Sequence, residues 1–389
     1  MPTSGQEVAL LRHCSDARFV WNLCVEQQSW WRPGRKSAPC YMERSRQLTA
    51  ARAENPWLRE GSYVVQQQAI RDFEQAMRKF FDRTHGYPTW RKARHNEGFR
   101  IVGQLGNHWD VRRLNRNSGE VRIPRVGWVR FRWSRAVPLD AKSFRVTCDR
   151  AGRWHVAFAV APEPITAPGN GEVVGVDRGV KVSAALSTGE MLMIPGLSVR
   201  ETSRYKRLQR KLNRAKPGSN RRREVRLAAA KLRARETDRR KDWCEKTSTD
   251  LARRFDFIRV EDLKIKSMIR SAKGTSEQPG RNVAQKAVLN GAIRRSGWGL
   301  LAERLEDKAP GRVEKINPRF TSQRCSACGH VDRESRESQA DFRCTACGYA
   351  DNADVNAAKN IAAGHAVTAR GGLGVTRPMN REPQLALPA

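Results

Sequence analysis

From about Gln6 to Phe81 apolar residues recur at every third or fourth position. They do so first in EVALLRHCSDARFVWNLCVEQ and again in YVVQQQAIRDFEQAMRKFFDR, a spacing that predicts amphipathic helices. Between them WWRPGRKSAP is rich in Pro, Gly and basic residues and reads as a loop, followed by a short helix and a stop at NPWLREGS. From about Gly86 to Pro164 the period drops to two, most clearly in V-G-W-V-R-F-R-W from Val126 to Trp133. Short alternating runs broken by Gly, Pro and Asn predict an antiparallel sheet or small barrel with Arg and Lys facing outward.

The pattern changes again near Glu172. VVGVDRGVKVSAALSTGEMLMIPG predicts three strands joined by tight turns. A long basic stretch from Arg204 to Phe255 predicts a helical hairpin broken at Pro217-Gly218, with one face almost wholly cationic. FDFIRVEDL is then a buried strand ending in two acids, residues 274–280 are a Gly/Ser/Pro loop, and Val283 to Leu305 is a helix. VEKINPRF is a further strand running into a group of cysteines, and the Gly- and Pro-rich tail after Gly364 is expected to be disordered. These elements describe an α+β chain of several domains.

Composition narrows the class of partner. A chain of 389 residues with 39% hydrophobic residues can bury real cores, yet 74 Lys and Arg against 40 Asp and Glu leave a net charge of +34. Such self-repulsion is relieved by a polyanion, so nucleic acid is the expected partner and a membrane is not: no apolar run approaches a span. The N-terminal stretch has no apolar core of a signal peptide, so a cytoplasmic, nucleoid-associated location is expected. Cys14, Cys24, Cys40, Cys148 and Cys244 are scattered, as reduced buried thiols would be. Trp30, Trp31, Trp57 and Trp90 offer rings for base stacking, although at helical spacing a Trp belongs more often to a core.

Two constellations carry chemistry. Cys325-x2-Cys328 and Cys344-x2-Cys347, each followed by Gly, match a zinc site in which each pair supplies one edge of a tetrahedron. Four thiolates leave no open position, so one zinc ion here is structural. Seven residues after the last cysteine, Asp354 opens the small-residue stretch ADVNAAKNI, where it reads equally as a helix cap. Asp177 lies inside the apolar run VVGVDRGV, and Glu261 closes FIRVEDL with Asp262 as its competitor. Singly each acid has an ordinary explanation, such as Asp177 pairing with Arg178. Together, on two neighbouring parallel strands and the start of a helix, three carboxylates suit two Mg²⁺ ions acting on a phosphodiester.

In order and spacing GVDRGV, IRVEDL, NPRFTSQRCSACG with CTACGY, and ADVNAAKNI resemble the RuvC-like nuclease motifs of the TnpB family, insertion-sequence-encoded relatives of type V CRISPR effectors. ARFVWN, QQAIRDFEQAMRKFF and GWVRFR resemble that family as well. The resemblance implies that Asp177, Glu261 and Asp354 are the catalytic triad of an RNase H-like fold with an inserted zinc ribbon. It also implies that the protein cuts double-stranded DNA beside a short transposon-adjacent motif, directed by a guide RNA from the transposon end. The alternative is a guide-dependent DNA-binding regulator that does not cut, with a DNA-joining transposase as a third reading. The implied domains are a helical recognition lobe at 1–85, wedge-like β-barrel strands at 86–170 and a RuvC-like domain with the basic hairpin at 171–310. The final strand and zinc ribbon follow at 311–350, the third motif helix at 351–365 and the tail at 366–389. Family members usually begin with a basic strand ahead of a segment like PTSGQEVALLRH, so either the first wedge strand is absent or the start codon lies upstream. Ser62, Gln67 and Arg71, on the polar side of an early helix, are candidates for reading the adjacent motif.

Overall fold

The computed structural model describes residues 2–364 apart from 33, 35–37, 96, 104 and 107–108; the tail at 366–389 lies outside the described residues. Two compact units emerge. The first combines Met1–Ala161 with Tyr205–Ala234, and the second combines Pro162–Arg204 with the chain from Arg235 onward.

In the first unit helix α1 (Ser4–Ser29) starts on a capping box in which Thr3 Oγ1 accepts from the Gln6 amide while the Gln6 side chain accepts from the Thr3 amide. Its buried residues, Leu10, Cys14, Ala17, Trp21 and Cys24 among them, keep the three-and-four spacing of the sequence. Then come α2 (Tyr41–Glu54), α3 (Pro56–Arg59) and α4 (Tyr63–Phe81), which buries Val65, Ala69, Phe73 and Met77. Strands β1 (Glu97–Val102), β2 (Val111–Asn115), β3 (Ser118–Ile123), β4 (Gly127–Arg132), β5 (Ser143–Cys148) and β6 (Trp154–Phe158) follow. Where alternation allowed a sheet or a barrel, the described residues form two three-stranded antiparallel sheets, β1-β5-β6 and β2-β3-β4. Helices and sheets bury their apolar faces in one shared core.

The four tryptophans depart from the core reading. Trp30, Trp31, Trp57 and Trp90 are between 46% and 58% exposed, because they sit in short connections or at helix ends, beyond the buried stripes. Trp21, inside α1, is buried instead. Cys40 is exposed and Cys148 half-buried, whereas Cys14, Cys24 and Cys244 are buried as expected.

The second unit is built on a five-stranded sheet. From there the elements run β7 (Val173–Asp177), β8 (Ala184–Leu186), β9 (Met191–Leu192), α5 (Val199–Arg214), α6 (Asn220–Arg254), β10 (Phe257–Glu261), α7 (Ile265–Met268), α8 (Val283–Arg295), α9 (Trp298–Lys308), β11 (Val313–Ile316), β12 (Asp341–Arg343), β13 (Ala350–Asn352) and α10 (Ala353–Ala362), with the Tyr205–Ala234 part of α5 and α6 belonging to the first unit. The strand order is β11-β10-β7-β8-β9, with β11, β10 and β7 parallel and β8 and β9 antiparallel. The basic hairpin turns where Pro217-Gly218 placed it. The helix expected over Val283 to Leu305 is two helices instead, because Gly297 takes a left-handed φ of 71° and breaks the ladder between α8 and α9. Among the described residues no helix is long and apolar enough to cross a membrane.

Alternation along β7 and β10 decides what lies above and below the sheet. Val174, Val176, Ile258 and Val260 are fully buried in a core with Leu251 of α6 and Leu301 and Leu305 of α9. The intervening Gly175, Asp177, Arg259 and Glu261 therefore point to the opposite face, and α10 packs there. A Cβ on Gly175 would fall 2.0 Å from the Ala358 carbonyl oxygen and 2.4 Å from the Ala362 amide nitrogen. The missing side chain is what lets this helix lie on β7. Arg259 Nη1 donates to the Ala362 carbonyl at 2.5 Å and so satisfies the last turn of the same helix.

Candidate active site and metal centres

The three acids singled out in the sequence meet on this face. β7 and β10 run in register, Val260 opposite Val176, and the next step along each strand brings Glu261 beside Asp177. α10 starts with Asn352 as N-cap, its Oδ1 accepting from the amides of Asp354 and Val355, so Asp354 is released from capping and its carboxylate is available to the centre. The acids are close enough to repel. Burial pushes the Asp177 carboxyl up to about 7, and the charges of Glu261 and then Asp354 add to the shift, against Arg336 and Arg178. Glu261 is also raised, chiefly by burial, while the Thr321 hydroxyl and Arg178 oppose that rise.

Four residues around the acids carried no signal of their own in the sequence. Arg178 is buried and does not pair with Asp177 through its guanidinium. It donates instead to the main-chain carbonyls of Glu261 and Trp298, the latter at 3.1 Å, and so clamps the end of β10. Arg336, from the segment between the two cysteine pairs, reaches Asp354 Oδ1 at 3.2 Å. Asn356 and Asn360 of α10, both buried, hold the chain leading into the first cysteine pair. Asn356 accepts from the Ser326 amide at 2.9 Å and donates to the Arg324 carbonyl at 2.8 Å; Asn360 donates to the carbonyls of Thr321 and Arg324 at 3.0 and 2.7 Å. Their only trace in the sequence is the i, i+4 spacing of two asparagines on a helix face that is otherwise small and apolar.

Carboxylate oxygens are the type of donor that divalent magnesium takes. Hard oxygen donors converge from three elements, and among the described residues the Asp177 carboxylate accepts no hydrogen bond. Asp262, the competitor of Glu261, turns away to pair with Lys264 at 2.6 Å. The cysteines fit a different ion. All four sulfurs lie within 4.8 Å of one another, with Cys325 Sγ to Cys347 Sγ at 3.8 Å and Cys328 Sγ to Cys344 Sγ at 3.6 Å. A tetrahedron with Zn–S bonds of about 2.3 Å has edges of about 3.8 Å. Both pairs turn alike: Gly329 and Gly348 take φ of 78° and 72° and donate to the carbonyls of Cys325 and Cys344. The site has the ligands and spacing for one zinc ion.

Ser62, Gln67 and Arg71 are separated by burial. Ser62 is 3% exposed, Gln67 is tied to Tyr41, Tyr63 and Ser45, and Arg71 is exposed over the Tyr41 ring. Of the three, Arg71 presents its charge to solvent.

By fold the chain is a mixed α/β, multidomain protein similar to the CRISPR effector Cas12f1. A cryo-EM structure of a Cas12f1–sgRNA–target DNA complex aligns at a TM-score of 0.52 over 92% of this chain and 82% of that one, at 14% identity. A family model described as "Cas12f1-like, TNB domain" matches residues 298–361, and one described as "Probable transposase" matches residues 155–272. The "Putative RNA-guided DNA endonuclease InsQ" of Escherichia coli (strain K12) is 34% identical over 98% of this chain and 95% of its own length. A "Putative RNA-guided DNA endonuclease" of Streptomyces pristinaespiralis is 30% identical over 95% of this chain and 89% of its own. The chain belongs to the TnpB family.

Proposed function

We propose that the protein is an RNA-guided DNA endonuclease whose acids Asp177, Glu261 and Asp354 hold two Mg²⁺ ions on an RNase H-like sheet. The observation that carries this reading is the convergence of the three carboxylates from β7, β10 and α10 on one sheet face. What Mg²⁺ supplies to such a centre is Lewis-acid polarisation of a phosphodiester and activation of water. The chain's own residues do the rest. Arg178 fixes the end of β10 that carries Glu261, Asn352 leaves Asp354 free to ligate, and Arg336 brings a cation to the rim, where a phosphate oxygen would approach. The net charge of +34 suits guide RNA and double-stranded target DNA as partners, with base pairing reading sequence and the protein reading backbone and shape. Cutting next to a transposon-adjacent motif, and a guide taken from the transposon end, belong to this reading through its family. Arg71 is the better placed of the three motif-reading candidates.

The test is a reconstitution of purified protein, guide RNA and target plasmid with and without Mg²⁺. Guide-dependent cutting that Asp177→Ala removes supports the reading. Guide-dependent binding without cutting by the parent protein gives the DNA-binding alternative instead, and cutting by Asp177→Ala at the parent rate removes the triad.

A further inference from the structure

The segment between β11 and the first cysteine pair contains an unusual backbone position. Phe320 adopts a left-handed φ of 62°, a conformation that a bulky side chain takes only when its surroundings impose it. Here they do. The amides of Gln323 and Arg324 both donate to the Phe320 carbonyl at 3.0 Å, and Asn360 and Asn356 hold the carbonyls of Thr321 and Arg324 from α10. The kink turns the next residue inward. Thr321 is 3% exposed, and its Oγ1 donates to Glu261 Oε1 at 2.7 Å.

A threonine hydroxyl has one proton to give. The Pro318 carbonyl lies 3.1 Å away and would satisfy it without the acid, so the shorter bond to a charged carboxylate is the stronger of the two. With Oε1 engaged by Thr321 and the main-chain carbonyl of Glu261 engaged by Arg178, Oε2 is the atom that accepts no hydrogen bond among the described residues. The same segment is tied at its other end to the zinc ribbon, because Asn356 also accepts from the amide of Ser326, inside the Cys325–Cys328 turn.

We propose that Thr321 is a positioning residue that aims the Glu261 carboxylate, and that through it zinc occupancy of the ribbon sets the affinity of the acid centre for divalent cations. This rests on the reading of Asp177, Glu261 and Asp354 as a divalent-cation centre. Partners that orient a ligating carboxylate change metal affinity by about 10- to 100-fold when removed, and that is the size of effect expected here.

The experiment titrates full-length, zinc-loaded protein with MnCl2 and follows free Mn²⁺ by EPR. Thr321→Val keeps the shape and removes the hydroxyl; it should weaken Mn²⁺ binding by about tenfold or more at unchanged zinc content and unfolding midpoint, and Thr321→Ser should restore it. In cleavage assays Thr321→Val should raise the Mg²⁺ needed for half-maximal rate, and excess Mg²⁺ should recover the rate. Zinc withdrawal should weaken Mn²⁺ binding similarly, and Thr321→Val should then add little, since both act through one link. Asp177→Ala separates the two ideas. If it leaves Mn²⁺ binding unchanged, the divalent-cation centre itself is wrong. If it abolishes binding while Thr321→Val binds as the parent does, the centre stands and the positioning role falls. Full effects of zinc withdrawal and Thr321→Val that simply add would overturn the coupling to the ribbon.

Discussion

The cysteine cluster and the carboxylate centre lie in the same unit and are built on opposite plans. The four sulfurs come from two short turns of nearly identical design, each closed by a glycine at positive φ, and a β12–β13 hairpin spans the stretch that carries the second turn. The acids come from two strands and a helix that are far apart in the chain, and they meet because β7 and β10 pair in parallel and α10 covers them. A soft, closed site of this kind releases folding energy when its ion binds. The acid centre instead takes a carboxyl out of water beside two others: burial first, and then the charges of Glu261 and Asp354, hold the Asp177 carboxyl above its usual range. The cysteine turns organise their own short stretch of chain, whereas the acids depend on distant elements meeting.

That contrast can be broken at either end. The largest effect belongs to Cys344→Ser, which removes a thiolate from a site whose zinc contributes about 10 kcal/mol or more. Zinc content measured by atomic absorption should fall to background, and limited proteolysis should open the segment 325–352. Asp177→Ala is the counterpart: cleavage should drop on the order of a thousandfold with zinc retained, and because a carboxyl that burial and two neighbouring acids disfavour is gone, the metal-free unfolding midpoint should be unchanged or higher. If Asp177→Ala lost zinc too, the two sites would not be separable.

Gly175→Ala tests the packing that joins the elements. The new methyl meets backbone of α10, which cannot rotate aside as a side chain would. A loss of about 1–3 kcal/mol in denaturant unfolding and a sharp fall in cleavage are expected, again with zinc retained. Next in size is Asn356→Ala, which leaves the Arg324 carbonyl and Ser326 amide without their partner at a cost of about 1–3 kcal/mol, read from chemical denaturation.

The last effect is a pH dependence. In the metal-free protein Asp177 holds its proton up to about pH 7, whereas an unfolded chain releases it near pH 4. The native state thus binds more protons than the unfolded one across that window, so metal-free stability falls as pH rises from about 4 to 7 and then levels. Mn²⁺ competes with the same proton. Its affinity should climb by no more than about tenfold per pH unit below 7 and flatten above, with Glu261, Asp354, Arg336 and Arg178 as the charges that tune the midpoint. A flat affinity between pH 6 and 8 would place the titration elsewhere.

The amino-acid sequence by itself determined the features that are local. The cysteine pairs and their glycines, the amphipathic stripes of α1 and α4, the break at Pro217-Gly218 and the strand character of β7 and β10 depend on residues within a turn or two of each other. It also brought forward Asp177 and Glu261, each an acid on or ending an apolar strand, and Asp354 through the resemblance of ADVNAAKNI to a family motif. Burial and partnership were settled only by the fold. Helical spacing put tryptophans such as Trp30 and Trp57 in a core, but their exposure depends on which positions another element covers. Periodicity ran Val283 to Leu305 together, since a single glycine in a helix is tolerated unless its φ turns positive. Arg178, Thr321, Arg336, Asn356 and Asn360 are ordinary residues in the string. Each acquires its role from hydrogen bonds to residues distant in the chain, which come within reach only once β7 pairs with β10 and α10 seats closely on Gly175.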